Sequence, residues 1–235
     1  MNVYVRDLTR FLGQAGVHVD VFTRSQDEHV PHVLHDLGYC NRVVHINAGP
    51  EIPLPKPELH KYIPDFSHEI LDFTIRKGLG YDLIHSHYWM SGVAADYLKE
   101  TWKVPIVHMF HTLGHMKNRV ARDQSEFEGA YRLDGEQRCM DIADRLIVST
   151  PAEVQQMEAY YQFDQNKIEI IPPGVDLSHF YPMPKDEAKA AIGIPQVAQM
   201  LLFVGRIEPL KGIDTLLHAL AIMRDECHLE KCSYH

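Results

Sequence analysis

No run of apolar residues in this chain of 235 residues approaches the ~20 that a membrane-spanning helix needs, so no membrane span is expected. Cysteine is scarce. The four present, Cys40, Cys139, Cys227 and Cys232, are scattered rather than set in a disulfide framework, and no leader with a charged start and an apolar middle stands at the beginning. A reducing cytoplasm is therefore the expected location. Positive charge is also in deficit: 23 Lys and Arg face 32 Asp and Glu, a formal net charge of −9. That balance argues against a nucleic-acid partner, which would be met by clustered basic residues, so any anion must be gripped locally. There is no internal repeat and no low-complexity tract. What remains is ordinary globular composition, 45% hydrophobic and 23% charged, in a length that suits one large or two small domains.

Val5, Leu8, Phe11, Leu12 and Ala15 recur at helical spacing, and Gly16 can end that helix in a left-handed conformation. VHVDVFTR and RVVHI read as strands, separated by a polar, histidine-bearing stretch. Residues 48–64 hold so many prolines that a loop is expected there, followed by a helix over residues 65–77 stopped by Gly78. Short apolar strands then alternate with helices: YDLIHSHYW, the helix MSGVAADYLKETW, VPIVHMF, a long polar loop, a helix over residues 135–144, RLIVST, the helix PAEVQQMEAYY, and KIEII. This alternation predicts a parallel sheet covered on both faces, with ligands beyond the carboxyl ends of its strands. A domain over residues 1–173, a linker over 174–198 and the start of a second α/β domain over 199–235 follow. Its first strand would be MLLFV and its first helix GIDTLLHALAIMRDE.

FVGRIEPLKG, residues 203–212, reads as an anion grip. Gly205 lets a ligand approach the backbone, Arg206 offers a planar fork of donors, and Lys211 adds a charge just ahead of a helix start whose N–H groups favour anions. A solvated loop with ordinary charges fits the same residues, so this stretch alone leaves both readings open.

FVGRIEPLKG resembles the start of the second domain of retaining glycosyltransferases of family 4, which have the two-Rossmann GT-B fold. MNVYVRDL, DLIHSHYW, VPIVHMFHTL, GEQ, ADRLIVST and IIPPGVD with a Phe four residues on are similar to the same family. The nearest branch is the one that holds the inositol-phosphate N-acetylglucosaminyltransferases and the sucrose-phosphate synthases. The resemblance covers nearly residues 1–224. It implies a sugar passed from a nucleotide sugar, expected to be a UDP-sugar, to a phosphorylated acceptor with retention of configuration. No tightly bound cofactor and no metal are implied.

By the same resemblance, Arg206 and Lys211 hold the donor diphosphate. Lys56, Tyr88, Thr112 and Arg132 line the acceptor pocket, with Asn2 beside them; two cations and two hydroxyl donors suit a phosphate monoester. His111 matches a catalytic His near the reacting carbon, although the commoner role of any single His is a satisfied place in the core. His85 and His87 share one face of a strand, as metal ligands can, but no third ligand is evident. Cys227, His228, Cys232 and His235 are zinc-capable residue types at a cramped spacing.

Against the family pattern, the chain lacks the first strand and its paired glycines, which should leave unpaired strand edges and an apolar slot. The E-x₇-E carboxylates of the donor site are absent too. A truncated chain with little or no transferase activity of its own is the expectation. Its alternatives are a transferase of the sucrose-phosphate synthase kind, a sugar-phosphate-binding fragment without catalysis, and an enzyme completed by a second chain; homodimerisation is open.

Overall fold

The computed structural model describes residues 2–227. Contacts divide the chain into two units, residues 1–116 with 128–173, and residues 117–127 with 174–235.

In the first unit, helix α1 (Asn2–Gln14) forms where the apolar spacing predicts it, and Gly16 leaves it at φ 86°. Strand β1 (Asp20–Arg24) pairs in parallel with β3 (Arg42–Ile46), and a two-residue strand β2 (Val33–Leu34) adds to β3 in antiparallel sense. The second sheet runs β4 (Ile84–His87), β5 (Ile106–Met109), β6 (Arg145–Val148), β7 (Ile168–Ile170), all neighbours parallel. Helices α4 (Trp89–Trp102), α6 (Ala130–Ile142) and α7 (Pro151–Tyr160) carry the chain between these strands, as parallel pairing requires. Thr150 caps α7 by accepting from the Glu153 amide, and Pro151 sits at its start, where a missing N–H is harmless.

The core of the four-stranded sheet gathers Ile106, Leu146 and Val148 with Trp89, Ala95, Phe110, Met140 and Met157, all nearly inaccessible. A smaller cluster of Val44, Ile46, Ile70 and Leu98 joins β3 to α3 (Ile63–Lys77) and α4. Each such side chain, fully buried, contributes about 1.5–3 kcal/mol. Among the described residues, β1 and β4 are each one of the two edge strands of their sheets. A groove of about 480 Å³ lies along both edges, floored by Val5, Leu8 and Leu12 of α1.

Three expectations need correction. The proline-rich stretch is not all loop: Lys56–Leu59 form a helical turn, α2, continued by a 3₁₀ turn to Tyr62, and α3 begins at Ile63. Pro55, Pro57 and Pro64 all fall at or within the first turn of a helix, where proline costs no hydrogen bond. The long polar loop contains α5 (Gly114–Val120), and α6 begins at Ala130, so Arg132 stands inside a helix rather than ahead of one.

The third correction concerns the second unit. Residues 199–204 form no strand, and Leu201, Leu202 and Val204 are 70%, 71% and 84% exposed. An extended segment needs a neighbour to take up its backbone groups, and no other described residue of this unit is in a strand. The unit does hold α8 (Lys185–Ala191) and the expected helix α9 (Ile213–Cys227), with Arg122 paired to Asp214 at 2.8 Å. His228, Cys232 and His235 lie outside the described residues.

Candidate functional site

Strand β4 ends at His87 and the chain turns into α4 through Tyr88, whose backbone has φ 73° and ψ 151°. Strand β5 ends at Met109 and turns through His111 at φ 62°. Both values are costly for residues with a Cβ, of order 1–3 kcal/mol each, and such strain concentrates at functional sites. Both residues follow the carboxyl ends of adjacent parallel strands, where ligands of α/β sheets bind.

The strained turns are braced from α6. Arg132 is fully buried, and its Nη2 donates to the Thr112 carbonyl at 3.0 Å and to Thr112 Oγ1 at 3.3 Å. Its Nε donates at 2.9 Å to Glu136, one helical turn on and equally buried. Glu136 in turn accepts from the Gly114 amide at 3.0 and 2.9 Å and from the Tyr161 hydroxyl. A Cβ on Gly114 would lie 2.7 Å from Leu133 Cδ2 and 3.1 Å from Glu136 Oε2, so glycine lets the loop come this close to α6 without displacing those side chains. Residues 111–114 are thus held to α6 by one buried ion pair that is hydrogen-bonded through Arg132 Nε and Nη2 and through both Glu136 oxygens.

Around this brace stand the expected acceptor residues. Lys56 Nζ lies 4.8 Å from the centroid of the Tyr88 ring and Arg132 Cζ lies 5.1 Å from it, so two cations flank one aromatic face system. Lys56, Tyr88, Thr112 and Arg132 therefore come together from α2, the β4–α4 turn, the β5–α5 loop and α6. Burial pushes the Lys56 ammonium below its usual pKa, with the nearby Arg132 acting the same way and Glu128 opposing both. Glu128 bridges the two cations, 2.5 Å from Arg132 Nη1 and 3.7 Å from Lys56 Nζ.

Histidines form the second part of the site. His87 Nδ1 and His111 Nε2 are 3.0 Å apart, one donating to the other. The His85 and His87 rings stand 4.2 Å apart, and Tyr4 of α1 meets His111 edge-on at 5.3 Å. His108, fully buried, shares a hydrogen bond of 2.7 Å with Ser86 Oγ. Burial, aided by the neighbouring imidazoles, pulls His87 and His108 down to about 3 and His111 to about 4. All three are neutral at neutral pH, so His111 acts as a fixed dipole and hydrogen-bond donor or acceptor rather than a cation. Among the described residues no group of three or more His, Cys, Asp or Glu is gathered as for a metal ion.

Asn2 opens α1, the helix that carries Tyr4 to His111. In the second unit, Arg206 is exposed and paired with Glu208 at 2.7 Å, and Lys211 ends a 3₁₀ turn ahead of Gly212, which leads into α9 at φ 65°. The 480 Å³ groove touches His85, Ser86 and His87, but Lys56, Tyr88, Thr112 and Arg132 do not line it. The sequence reading missed Glu128, Glu136 and the link from His87 to His111. The i, i+4 spacing of Glu128, Arg132 and Glu136, and for Glu136 its place in the GEQ motif, were the signals available for the first two.

A family profile described as Glycosyltransferase Family 4 matches residues 1–179. A D-inositol 3-phosphate glycosyltransferase from Arthrobacter sp. is 43% identical over 226 residues, which are 95% of this chain and 53% of that protein. One of the same name from Nocardioides sp. is 39% identical, over 94% of this chain and 48% of that protein. The chain thus spans about half the length of the curated relatives it matches. Among solved structures, a sucrose-phosphate synthase from Thermosynechococcus elongatus superposes with a TM-score of 0.81 at 33% identity, covering 94% of this chain and 54% of that one. No helix of the described residues is long and apolar enough to cross a membrane.

Proposed function

The chain belongs to glycosyltransferase family 4, and from that premise we propose that it serves the transfer of a sugar from a nucleotide sugar to a phosphorylated polyol or hexose. Its α/β architecture matches that of the GT-B glycosyltransferases. The observation that carries the acceptor reading is the meeting of Lys56, Tyr88, Thr112 and Arg132 on one small patch beside two strained turns. Two cations and two hydroxyls supply what the oxygens of a phosphate monoester take up.

In this reading residues 1–173 bind the acceptor, with Asn2 at the edge of its pocket, and residues 199–235 begin the donor domain. Arg206 and Lys211 hold the diphosphate of a UDP-sugar and stabilise the negative charge that grows on it as the glycosidic bond breaks. His111, neutral and fixed by His87, orients the transferring sugar while configuration is retained. The scarcity of cysteine fits a cytoplasmic address.

The relatives' name makes D-inositol 3-phosphate the first acceptor to test, and the likeness to a sucrose-phosphate synthase makes a fructose phosphate the second. Calorimetry on the protein should show binding of at least one of these phosphates and none of free inositol or fructose. Lys56→Met, which keeps the apolar stem of a half-exposed side chain, should weaken that binding about tenfold. Equal binding of the phosphate-free sugars, or an unchanged affinity in the variant, would overturn the reading. A transfer assay with UDP-sugars tests the donor side separately.

A further inference from the structure

The patch that should receive a phosphate is already electrically balanced. Lys56 and Arg132 supply two positive charges, and Glu128 and Glu136 supply two negative ones. Glu136 is locked: it is wholly buried and accepts from Gly114, Arg132 and Tyr161 at once. Glu128 is placed differently. It lies on irregular backbone two residues ahead of α6, its side chain keeps 14% exposure, and it reaches the buried Nη1 of Arg132 and the half-exposed Lys56. Although Nη1 is only 2.5 Å from the carboxylate, the pair lacks hydrogen-bond geometry, so it is a charge contact rather than an aligned bond. A carboxylate oxygen therefore occupies the position at which an anionic ligand would meet both cations.

We infer that Glu128 is a built-in competitor of the acceptor's phosphate: it holds the anion position while the pocket is empty and must leave Arg132 Nη1 for a phosphate oxygen to enter. This rests on the acceptor reading above and adds to it a source of selectivity. With Glu128 in place an arriving anion meets a neutral cluster plus the repulsion of a nearby carboxylate. With Glu128 displaced it meets a net charge of +1 and two donors on Arg132 and Lys56. A phosphate monoester, carrying about −1.5 to −2 near neutral pH and three acceptor oxygens, gains enough to displace one carboxylate. A sugar carboxylate carries a single charge, offers no more than Glu128 already supplies, and is refused. Glu128 thus separates phosphorylated acceptors from uronic acids of the same size.

The test is calorimetry on the whole protein and its Glu128→Gln variant, which keeps side-chain shape and removes the charge. Three probes serve: D-inositol 3-phosphate, a fructose phosphate and glucuronate. Asp134→Asn, which neutralises an exposed carboxylate on α6, controls for a general change in charge. The expected result is about tenfold tighter phosphate binding in Glu128→Gln, measurable glucuronate binding in that variant alone, and no change in Asp134→Asn. Phosphate binding by the wild type that is unchanged or weaker in Glu128→Gln would overturn the competitor role and leave the acceptor reading standing. Equal tightening in both variants would overturn it as well, assigning the effect to net charge. Failure of wild type and variant alike to bind any phosphate would sink the acceptor reading itself, and the competitor with it.

Discussion

Replacing Glu136 with Gln removes one charge from the centre of the brace that joins α6 to the loop after β5. The Arg132 guanidinium then stays at zero exposure, and the Gln amide must turn its NH₂ toward one of three groups that now donate: the Gly114 amide, Arg132 Nε or the Tyr161 hydroxyl. Tyrosine can reverse its role and accept, so the amide protons face Tyr161 while the oxygen, in the place of Oε1, keeps both Gly114 and Arg132 Nε. Arg132 keeps its hydrogen bonds but loses the charge of its fully buried partner, and of the two carboxylates beside it only the partly exposed Glu128 remains ionised. Breaking one partner of a buried ion pair costs about 3–5 kcal/mol. For a unit of this size each kcal/mol moves the melting point by about 2–4 °C, so a fall of roughly 10 °C is expected. The protein has two tryptophans, Trp89 and Trp102, and both lie in the first unit, so their fluorescence reports its unfolding alone. Adding Arg132→Met to Glu136→Gln takes away the stranded cation and should restore part of the loss, because a buried pair exchanged for groups of similar shape costs far less than a broken one. A fall of under about 2 °C in the single variant, or a double variant less stable than the single, would refute this account of the brace.

Acid should unfold the same unit early. His87, His108 and His111 take up protons near pH 3, 3 and 4 when folded, whereas an unfolded imidazole does so near about 6.5. Between those values the unfolded chain binds more protons, so stability is lost as the pH falls below about 6.5, and the loss from these groups levels off below about 3. At pH 4.5 the fully buried His108 alone accounts for on the order of 2–3 kcal/mol. Urea midpoints followed by tryptophan fluorescence at pH 7.5, 5.5 and 4.5 check the slope; a flat profile down to pH 4.5 contradicts it. Gly92→Ala on α4 should destabilise by about 1–3 kcal/mol, since its Cβ would clash with Cys139 Sγ and lie 2.8 Å from His108 Cε1. On an open helix face the same change stabilises by about 1 kcal/mol, so the sign of the effect decides whether α4 and α6 pack this closely.

Much of the fold was legible because its signals are local. The 3.6-residue spacing of Val5, Leu8 and Leu12 and the stop at Gly16 gave α1, and the run RVVHI gave β3 to the residue. The proline-rich stretch misled because proline was weighed without its position: three of its prolines stand at helix starts. MLLFV misled for the opposite reason, since its composition favours a strand but pairing depends on a neighbour the sequence pattern cannot supply. At the site, the residue types at four separated motifs were readable, while Glu128 and Glu136 were not, because an ordinary i, i+4 charge spacing carries no sign of burial.

The sequence by itself determined the alternation of β4 to β7 with their helices, the family, and which cations and histidines stand next to strand ends, because turn chemistry and periodicity act over a few residues. Only the tertiary structure decided that Lys56, Tyr88, Thr112 and Arg132 share one patch, that two carboxylates neutralise it, and that three histidines are held uncharged. Desolvation and Coulomb energy depend on distances between residues such as Lys56 and Glu128, far apart along the chain and 3.7 Å apart in space, and folding alone sets those distances.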